Sequence, residues 1–289
     1  MHEYPQKSSQ VRWVTGQWLS ERLQDRSFTL IDSQPDVHDY IVRHIPGAVY
    51  MNEKLLRIVE GDLPTGYIPP EVMKVFMARV GIRADKPVVV YTDTGAFSKA
   101  GDGLEQTMMA YSLARFGHPQ VYILDGGLPR WLDQHYPTTK KVPLPEQSDF
   151  QPELDTSLYL SYEQFKAVKD DDDVVVIDVR PNELYQGKAM WEKPGHIPGA
   201  YNLPWTNLVV KHNSRQLAAD DHLEEILTRM NLSRDKTLVF YCGTGREATA
   251  AFCVFRWYLA FPKVRLFEGS FTQWCLYPEN ATVTGPHPR

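Results

Sequence analysis

The sequence predicts an α/β protein with two tandem domains, each a parallel sheet with helices on both faces. The chain repeats itself: "RVGIRADKPVVVYTDTG" from Arg79 matches "RMNLSRDKTLVFYCGTG" from Arg229, and "HIPGA" occurs at His44 and again at His196. Within each copy, short unbroken runs of Val, Ile and Leu alternate with helical stretches. This alternation is typical of strands that are covered on both faces of a parallel sheet.

Each copy contains the same order of elements. A short helix comes first, and in the second copy Ser161 and Gln164 have the spacing of a capping box. Apolar runs follow at "FTLID" and "VVVID", a Pro-Gly turn lies in "HIPGA", and helices are expected at "PEVMKVFMARVG" and "DHLEEILTRMN". The strands "PVVVY" and "TLVFY" then lead through a loop to an alanine-bearing helix. A last strand, "QVYIL" or "KVRLF", completes each copy.

The segment between the copies has the composition of a linker. "HYPTTKKVPLPEQSDFQPELD", from His135, is rich in Pro, Thr and charged residues and has no periodicity. We therefore predict a first domain over residues 1–135, a linker over 136–156 and a second domain over 157–289. A chain of 289 residues fits two domains of ordinary size.

Composition and charge exclude several classes of protein. A net charge of −5 argues against binding to nucleic acid or to an anionic membrane surface. No apolar run is long enough to predict a membrane span, and the start of the sequence has no apolar core of a secretory signal. The 3 cysteines form neither a disulfide framework nor a C-x-x-C metal pattern. We expect a cytoplasmic protein without a bound metal.

The most informative stretch is "LVFYCGTGREATAAF", which places Cys242 at the end of a predicted central strand. Ligands of parallel sheets bind at the carboxyl ends of the strands. Gly243 and Gly245 allow a tight turn before a helix that begins at Arg246. Loop amides and a helix N-terminus favour a negative charge, so this setting is expected to lower the pKa of the thiol and to make Cys242 a nucleophile. The alternative is an unreactive cysteine at the end of a buried strand.

The first copy provides an internal comparison for this loop. Aligned through Tyr91 and Tyr241, it has Thr92 at the cysteine position and Asp93 at the position of Gly243. Threonine cannot form a persulfide, and the carboxylate of Asp93 would lie where an anionic substrate binds. We therefore expect the first domain to be catalytically inactive and the second to carry the chemistry.

At these residues the chain resembles the rhodanese family, in its two-domain sulfurtransferase form. The motifs that carry the resemblance are the repeated "HIPGA", "VIDVR", "YCGTGRE" and "EGSFTQW". The resemblance implies two rhodanese-like domains and an enzyme that moves a sulfane sulfur from thiosulfate or 3-mercaptopyruvate to Cys242. The persulfide then gives its sulfur to cyanide, a thiol or a carrier protein, such as a thioredoxin-like or sulfur-carrier protein. No metal or organic cofactor is implied, because the intermediate is covalent.

Two groups of further site residues are expected. The persulfide would be held by a loop of backbone amides, at Gly243, Thr244, Gly245, Arg246 and Glu247. The substrate-binding candidates are Arg180 and Lys193, expected near the mouth of the site, Asp178 at a strand end, and His44, which the resemblance suggests. Each candidate also has a purely structural interpretation. Arg180 would form an ion pair, Lys193 would be an exposed loop residue, Asp178 would orient the loop, and His44 would hydrogen-bond the backbone of its turn.

The donor and the mode of action stay open at this point. Thiosulfate is preferred over 3-mercaptopyruvate, because a cationic Arg246 beside the thiol would suit a doubly anionic donor. A protein-to-protein sulfur relay and a non-catalytic interaction module are the alternatives to an enzyme acting on small donors. A cysteine phosphatase is disfavoured because its C-x5-R loop requires arginine where this chain has Ala248.

Overall fold

The computed structural model of the chain describes residues 9–25 and 27–288, which form two compact units. The first unit takes in the described residues up to Arg57, then Ile68–Asp155 and Val209–Leu217. The second takes in Ile58–Tyr67, Thr156–Leu208 and the described residues from Ala218 onward. No helix in the described part of the chain is long and apolar enough to cross a membrane.

The secondary structure follows the repeat. In chain order the strands are β1 (Val11–Val14), β2 (Thr29–Asp32), β3 (Val49–Tyr50), β4 (Arg57–Glu60), β5 (Leu63–Tyr67), β6 (Val88–Tyr91), β7 (Val121–Leu124), β8 (Tyr159–Leu160), β9 (Val174–Asp178), β10 (Tyr201–Asn202), β11 (Val209–Val210), β12 (Asn213–Leu217), β13 (Thr237–Tyr241) and β14 (Val264–Phe267). The α-helices are α1 (Gly16–Ser20), α2 (Val37–Val42), α3 (Pro70–Arg79), α4 (Leu104–Arg115), α5 (Gly127–Asp133), α6 (Tyr162–Val168), α7 (Asn182–Gln186), α8 (Asp220–Met230), α9 (Arg246–Phe252) and α10 (Ser270–Leu276).

Each unit is built on a five-stranded parallel sheet. The strand order is β1-β7-β6-β2-β3 in the first unit and β10-β9-β13-β14-β8 in the second, which is the same order read from opposite edges. All neighbouring strands in both sheets are parallel. The short central strands β6 and β7 are buried along their length and β13 from its second residue onward, as is typical of parallel strands covered by helices. These sheets confirm the predicted α/β class and the predicted repeat.

Two local predictions about the helices have different outcomes. The capping box is confirmed: the Ser161 hydroxyl accepts from the Gln164 amide, and the Gln164 side chain accepts from the Ser161 amide. The single helix expected after Gly245 instead changes at Cys253–Tyr258 into a π-helical segment. Its wider turn packs Phe255 against neighbouring aromatic rings at centroid distances of 4.9 and 5.5 Å.

The segment predicted as a linker is hydrogen-bonded along the first unit. The Thr139 amide donates to the His44 carbonyl at 2.8 Å, and the Ser148 amide donates to the Ala78 carbonyl at 3.0 Å. The ranges 1–135, 136–156 and 157–289 stay a prediction of how the chain divides into folding domains.

A buried tyrosine fixes the end of the central strand in the first sheet. In the register of β2 and β6, Tyr91 lies beside Asp32. Its hydroxyl donates to the Asp32 carboxylate and accepts from the Ile45 amide at 2.9 Å. Ile45 belongs to the first "HIPGA", in which Gly47 makes the turn at φ +86°. The motif therefore holds the strand end in place.

The second sheet repeats this arrangement. Tyr241 lies beside Asp178, hydrogen-bonds its carboxylate and accepts from the Ile197 amide at 3.1 Å. Ile197 belongs to the second "HIPGA". The next residue in the chain is Cys242, so this network fixes the backbone from which the thiol projects.

Candidate active site

Cys242 lies directly after the central strand of the second sheet and is fully buried. Its amide donates to the Ser270 hydroxyl at 3.2 Å, and its carbonyl accepts from the Phe271 amide at 2.9 Å. Ser270 adopts a left-handed conformation at φ +52° and donates its own hydroxyl proton to the Phe267 carbonyl at 2.9 Å. The backbone of Cys242 is therefore held on both sides by the turn that begins α10.

The sulfur of Cys242 is surrounded by backbone amides. The Gly245 amide donates to Sγ at 3.1 Å, and the amides of Thr244 and Ala248 also hydrogen-bond the cysteine. The tight turn requires Gly245 to adopt φ +85°, which glycine does without strain. An anion at this sulfur would face three N–H donors in a site without solvent, the arrangement that stabilises developing negative charge.

The remaining members of the predicted cradle have other positions. The Gly243 amide hydrogen-bonds the Glu247 carboxylate instead of the sulfur. Arg246 is the first residue of α9 and is partly exposed. Glu247 is the second, and its carboxylate hydrogen-bonds Cys242. The loop thus presents a carboxylate as well as amides to the thiol.

The expectation that the loop lowers the pKa of Cys242 is wrong. Burial, and after it the negative charge of Glu247, raise the pKa of the thiol to about 12. The amide hydrogen bonds act in the opposite direction without overcoming these two effects. The resting group is a buried thiol, so its reaction as a nucleophile requires removal of the proton.

A tryptophan that the sequence did not single out covers the loop. The Trp191 ring lies so close to Gly243 that a Cβ there would be 2.6 Å from a ring carbon. Trp191 donates from Nε1 to the Thr272 hydroxyl at 2.9 Å, and that hydroxyl donates to the Gly243 carbonyl at 2.8 Å. Glycine is required at 243 because the indole occupies the space of a side chain.

Arg180 and Asp178 form a buried ion pair. The Arg180 side chain is 1% exposed and donates to both carboxylate oxygens of Asp178, at 2.6 and 3.0 Å, and to the Gly195 carbonyl at 2.7 Å. Its guanidinium lies 3.9 Å from the centre of the Phe271 ring. Arg180 is therefore not at the mouth of the site, where it was expected. Asp178 orients the Tyr241 hydroxyl and thereby the strand end before Cys242.

Lys193 lies away from the sulfur. Its ammonium donates to the carbonyls of Tyr277, Pro278 and Asn280 at 2.6, 3.1 and 2.7 Å. These contacts cap the chain after α10. The structure therefore places Lys193 in the C-terminal packing and does not bring it to Cys242.

His44 occupies a packing position in the first unit. It is fully buried, stacks on Tyr40 at 4.0 Å and hydrogen-bonds the carbonyls of Tyr40 and Lys141 at 2.8 and 3.1 Å. His196, its counterpart in the second repeat, stacks on Tyr185 at 3.6 Å and hydrogen-bonds the Tyr185 carbonyl at 2.8 Å. The ring stacking and the Nδ1 hydrogen bond to a tyrosine carbonyl recur in both copies and indicate a structural role for the histidine of "HIPGA".

The other two cysteines are buried elsewhere in the second unit. Burial raises the pKa of Cys253, in the π-helical segment, and that of Cys275, in α10. Among residues 9–25 and 27–288, no group of three or more His, Cys, Asp or Glu side chains could hold a metal ion.

Three contributors to the site were missed in the sequence: Trp191, Ser270 and Ala248. Comparison of the repeats could have indicated Ser270, because "EGSFTQW" has this serine where "DGGLPRW" has Gly127. Nothing in the sequence indicates that Trp191 lies over Gly243, because a connection without regular secondary structure carries it there.

Comparison with known proteins identifies the fold. The model of the rhodanese-like domain matches residues 15–134 and again 161–277. The crystal structure of SseA from Escherichia coli, a 3-mercaptopyruvate sulfotransferase, superimposes with a TM-score of 0.78 at 26% identity, covering 90% of this chain and 98% of that one.

Relatives in sequence extend over nearly the whole chain. A Synechococcus elongatus protein provisionally named thiosulfate sulfurtransferase is 31% identical over 91% of this chain and 82% of its own length. The sulfur carrier protein TtuD of Thermus thermophilus is 27% identical, over 90% of this chain and 92% of its own length. The two matched domains and the full-length relatives together show that this chain belongs to the rhodanese family of sulfurtransferases.

Proposed function

We propose that this chain is a persulfide-forming enzyme in which Cys242 takes a sulfane sulfur from a small anionic donor and passes it to cyanide or a thiol. The observation that carries the proposal is the contact of three backbone amides with the sulfur of Cys242, at the end of the central strand. Thr92 follows the equivalent strand of the first unit, so that unit lacks the nucleophile.

The chemistry needs only the cysteine and its surroundings. Sγ of Cys242 attacks the outer sulfur of the donor, a new S–S bond forms, and the bond between that sulfur and the rest of the donor breaks. The electron pair of the broken bond leaves with the product. The terminal sulfur of the persulfide carries a negative charge that loop amides can stabilise. No metal or organic cofactor takes part in these steps.

Thiosulfate is the preferred donor and 3-mercaptopyruvate the alternative. Arg180 and Lys193 are engaged in the contacts described above, and Arg246, which is partly exposed, is a cation of the loop itself that would suit an anionic donor. A doubly anionic donor gains more from this charge than a singly anionic one. Both donors occur in the names of relatives, so both belong in the test.

Intact-mass measurement after incubation with each donor tests the proposal. We expect the protein to gain the mass of one sulfur atom, and Cys242→Ser to abolish the gain. Cys253→Ser and Cys275→Ser are the matched controls, because both change buried cysteines outside the loop and should keep the gain. The assignment of the nucleophile is contradicted if Cys242→Ser still acquires the sulfur.

A sulfur relay between proteins is the second candidate, and the similarity to the carrier protein TtuD supports it. The same cysteine would receive its sulfur from another protein's persulfide and pass it to a thioredoxin-like or sulfur-carrier partner. In that case neither small donor would label Cys242, whereas a protein persulfide would. Absence of labelling by all three would leave a non-catalytic interaction module.

A further inference from the structure

We propose that the Glu247 carboxylate is the general base that takes the proton of the Cys242 thiol as its sulfur attacks the donor. This inference rests on the proposed function, because it assigns a residue to that same sulfur transfer. It is needed because the site holds a protonated thiol rather than a thiolate. A thiol with a pKa of about 12 is almost entirely protonated at pH 7.

The geometry brings the base and the acid together. Glu247 is the second residue of α9, so its side chain turns back toward the loop that begins the helix. The carboxylate hydrogen-bonds the Cys242 thiol, which is the donor, and accepts from the Gly243 amide. The sulfur is meanwhile held by the Gly245 amide at 3.1 Å. Both partners of the proton transfer are therefore fixed by the same short loop.

The charges around Glu247 suit a base. Burial and the neighbouring carboxylate of Asp178 raise the pKa of Glu247, whereas Arg180 and the hydrogen bonds from Cys242 and Gly243 lower it. A carboxylate with a raised pKa accepts a proton more readily than one in water. Asp178, Arg180 and Cys242 are the titratable groups that act most on it, and Arg180 is already paired with Asp178.

The corresponding glutamate of the first unit, Glu105, has a structural role. Glu105 is likewise the second residue of its helix, α4. Its carboxylate accepts from the amides of Asp102 and Gly103, at 3.3 and 3.0 Å, and from the Thr92 hydroxyl at 3.4 Å. Both copies therefore use a glutamate to cap the loop, but only the second copy presents it to a thiol. A test must separate this capping from proton transfer.

The step balances with the groups named. The thiol proton passes to Glu247, and the sulfur's electron pair forms the new S–S bond. With thiosulfate, the pair of the broken bond leaves as sulfite, the persulfide keeps one negative charge, and Glu247 returns its proton to sulfite or water. With 3-mercaptopyruvate, the pair leaves as the enolate of pyruvate, and protonated Glu247 supplies the proton that converts it to pyruvate.

The decisive experiment is single-turnover persulfide formation by wild type, Glu247→Gln and Glu105→Gln, followed by intact mass as a function of pH. We expect Glu247→Gln to be slower at neutral pH by roughly 10²–10⁴-fold, the usual contribution of general base catalysis. Its rate should continue to rise with pH as the thiol ionises, whereas the wild type should reach a plateau once Glu247 is deprotonated. Glu105→Gln, which removes a matched cap in the unit without a thiol, should keep the wild-type rate.

A purely structural role of Glu247 predicts the opposite change in rate. If Glu247 only caps the loop, its removal takes away a negative charge beside the sulfur, lowers the pKa of Cys242 and makes Glu247→Gln faster at neutral pH. An equal or faster rate overturns the proposal. If Glu247→Gln does not fold, the wild-type profile decides: a rate that rises in proportion to hydroxide without a plateau also overturns it.

Failure of this inference is distinguishable from failure of the proposed function. A wild-type protein that gains no sulfur from either donor contradicts the proposed function. A wild-type protein that gains sulfur at Cys242, with a Glu247→Gln variant that does so equally fast, contradicts only the role of Glu247.

Discussion

The two sheets place the same fixing network at the same strand end, but different residues follow it. Tyr91 and Tyr241 both hydrogen-bond a buried aspartate and the amide of a "HIPGA" isoleucine. The first sheet continues into a long loop, residues 92–103, whereas the second reaches its helix after residues 242–245. What the copies share at the strand end is therefore structural, and the reactive chemistry depends on the residues that follow it.

The buried aspartates show the clearest difference in electrostatics. Asp178 is paired with Arg180, whereas Asp32 is bonded by the neutral amide of Gln34 at 2.8 Å. In the first loop Asp93 is 1% exposed and forms an ion pair with Arg43 at 3.2 Å. The first unit thus carries a carboxylate of its own where the second has Gly243 and a thiol.

Exchange of the two strand-end residues should have the largest effect. Cys242→Thr converts the second loop to the residue of the first, and we expect complete loss of persulfide formation in the intact-mass assay. Thr92→Cys in the same protein should not restore it, because the buried Asp93 carboxylate follows that position directly and would repel an anionic donor. A sulfur gain at position 92 would contradict the view that the first loop is unsuited to the chemistry.

Removal of the buried cation should cost the most stability. We expect Arg180→Ala to lower the free energy of unfolding by about 3–5 kcal/mol, because it leaves Asp178 buried without its partner. Arg180→Gln should cost less, since Gln34 satisfies Asp32 in the first unit. Urea unfolding followed by tryptophan fluorescence measures both. Equal losses of unfolding free energy in Arg180→Ala and Arg180→Gln would show that glutamine cannot replace Arg180 as the partner of Asp178, unlike Gln34 beside Asp32.

Addition of one methyl group at the loop should have a smaller effect. Gly243→Ala places a carbon 2.6 Å from the Trp191 ring, so we expect a loss of roughly 1–3 kcal/mol from overpacking. In a Trp191→Ala background the same change should cost nearly nothing, and a double-mutant cycle by urea unfolding measures the difference. Identical costs in both backgrounds would exclude the indole as the cause.

The most gradual expected effect is the pH dependence of stability in the first unit. Burial raises the pKa of Asp32 from 3.8 to about 7. Because the folded state binds this proton more tightly than the unfolded chain, the stabilisation is complete below about pH 4 and is lost as the pH rises through 7, at no more than about 1.4 kcal/mol per pH unit. Asp32→Asn should flatten this part of the stability profile, which thermal melts across pH can show; an unchanged slope would assign it to another group.

The sequence was sufficient for the architecture because burial patterns and repeats are local in the chain. Runs of Val, Ile and Leu identified the central strands. The match between Tyr91 and Tyr241 identified Thr92 as the residue that is equivalent to Cys242 in the first repeat. The electrostatics of the thiol were not predictable in the same way. Its pKa depends on how deeply Cys242 is buried and where the Glu247 carboxylate points, and neither is visible in residue spacing.

Contacts between distant segments account for the other differences. Arg180 was expected near the mouth of the site, but its guanidinium folds back onto Asp178 and the Gly195 carbonyl. The correspondence between Glu105 and Glu247 is hidden in the sequence by the longer first loop. The helix starts, at Leu104 and Arg246, make it evident, because each glutamate is the second residue of its helix.

The buried and protonated state of the Cys242 thiol affects how readily the enzyme is oxidised between turnovers. Peroxides oxidise cysteine through its thiolate, and the sulfinic and sulfonic products cannot be recovered by thiols. A sulfur that is fully covered and stays protonated until a donor arrives offers such oxidants almost no target. The resting protein is thereby protected against overoxidation without a second cysteine to rescue it.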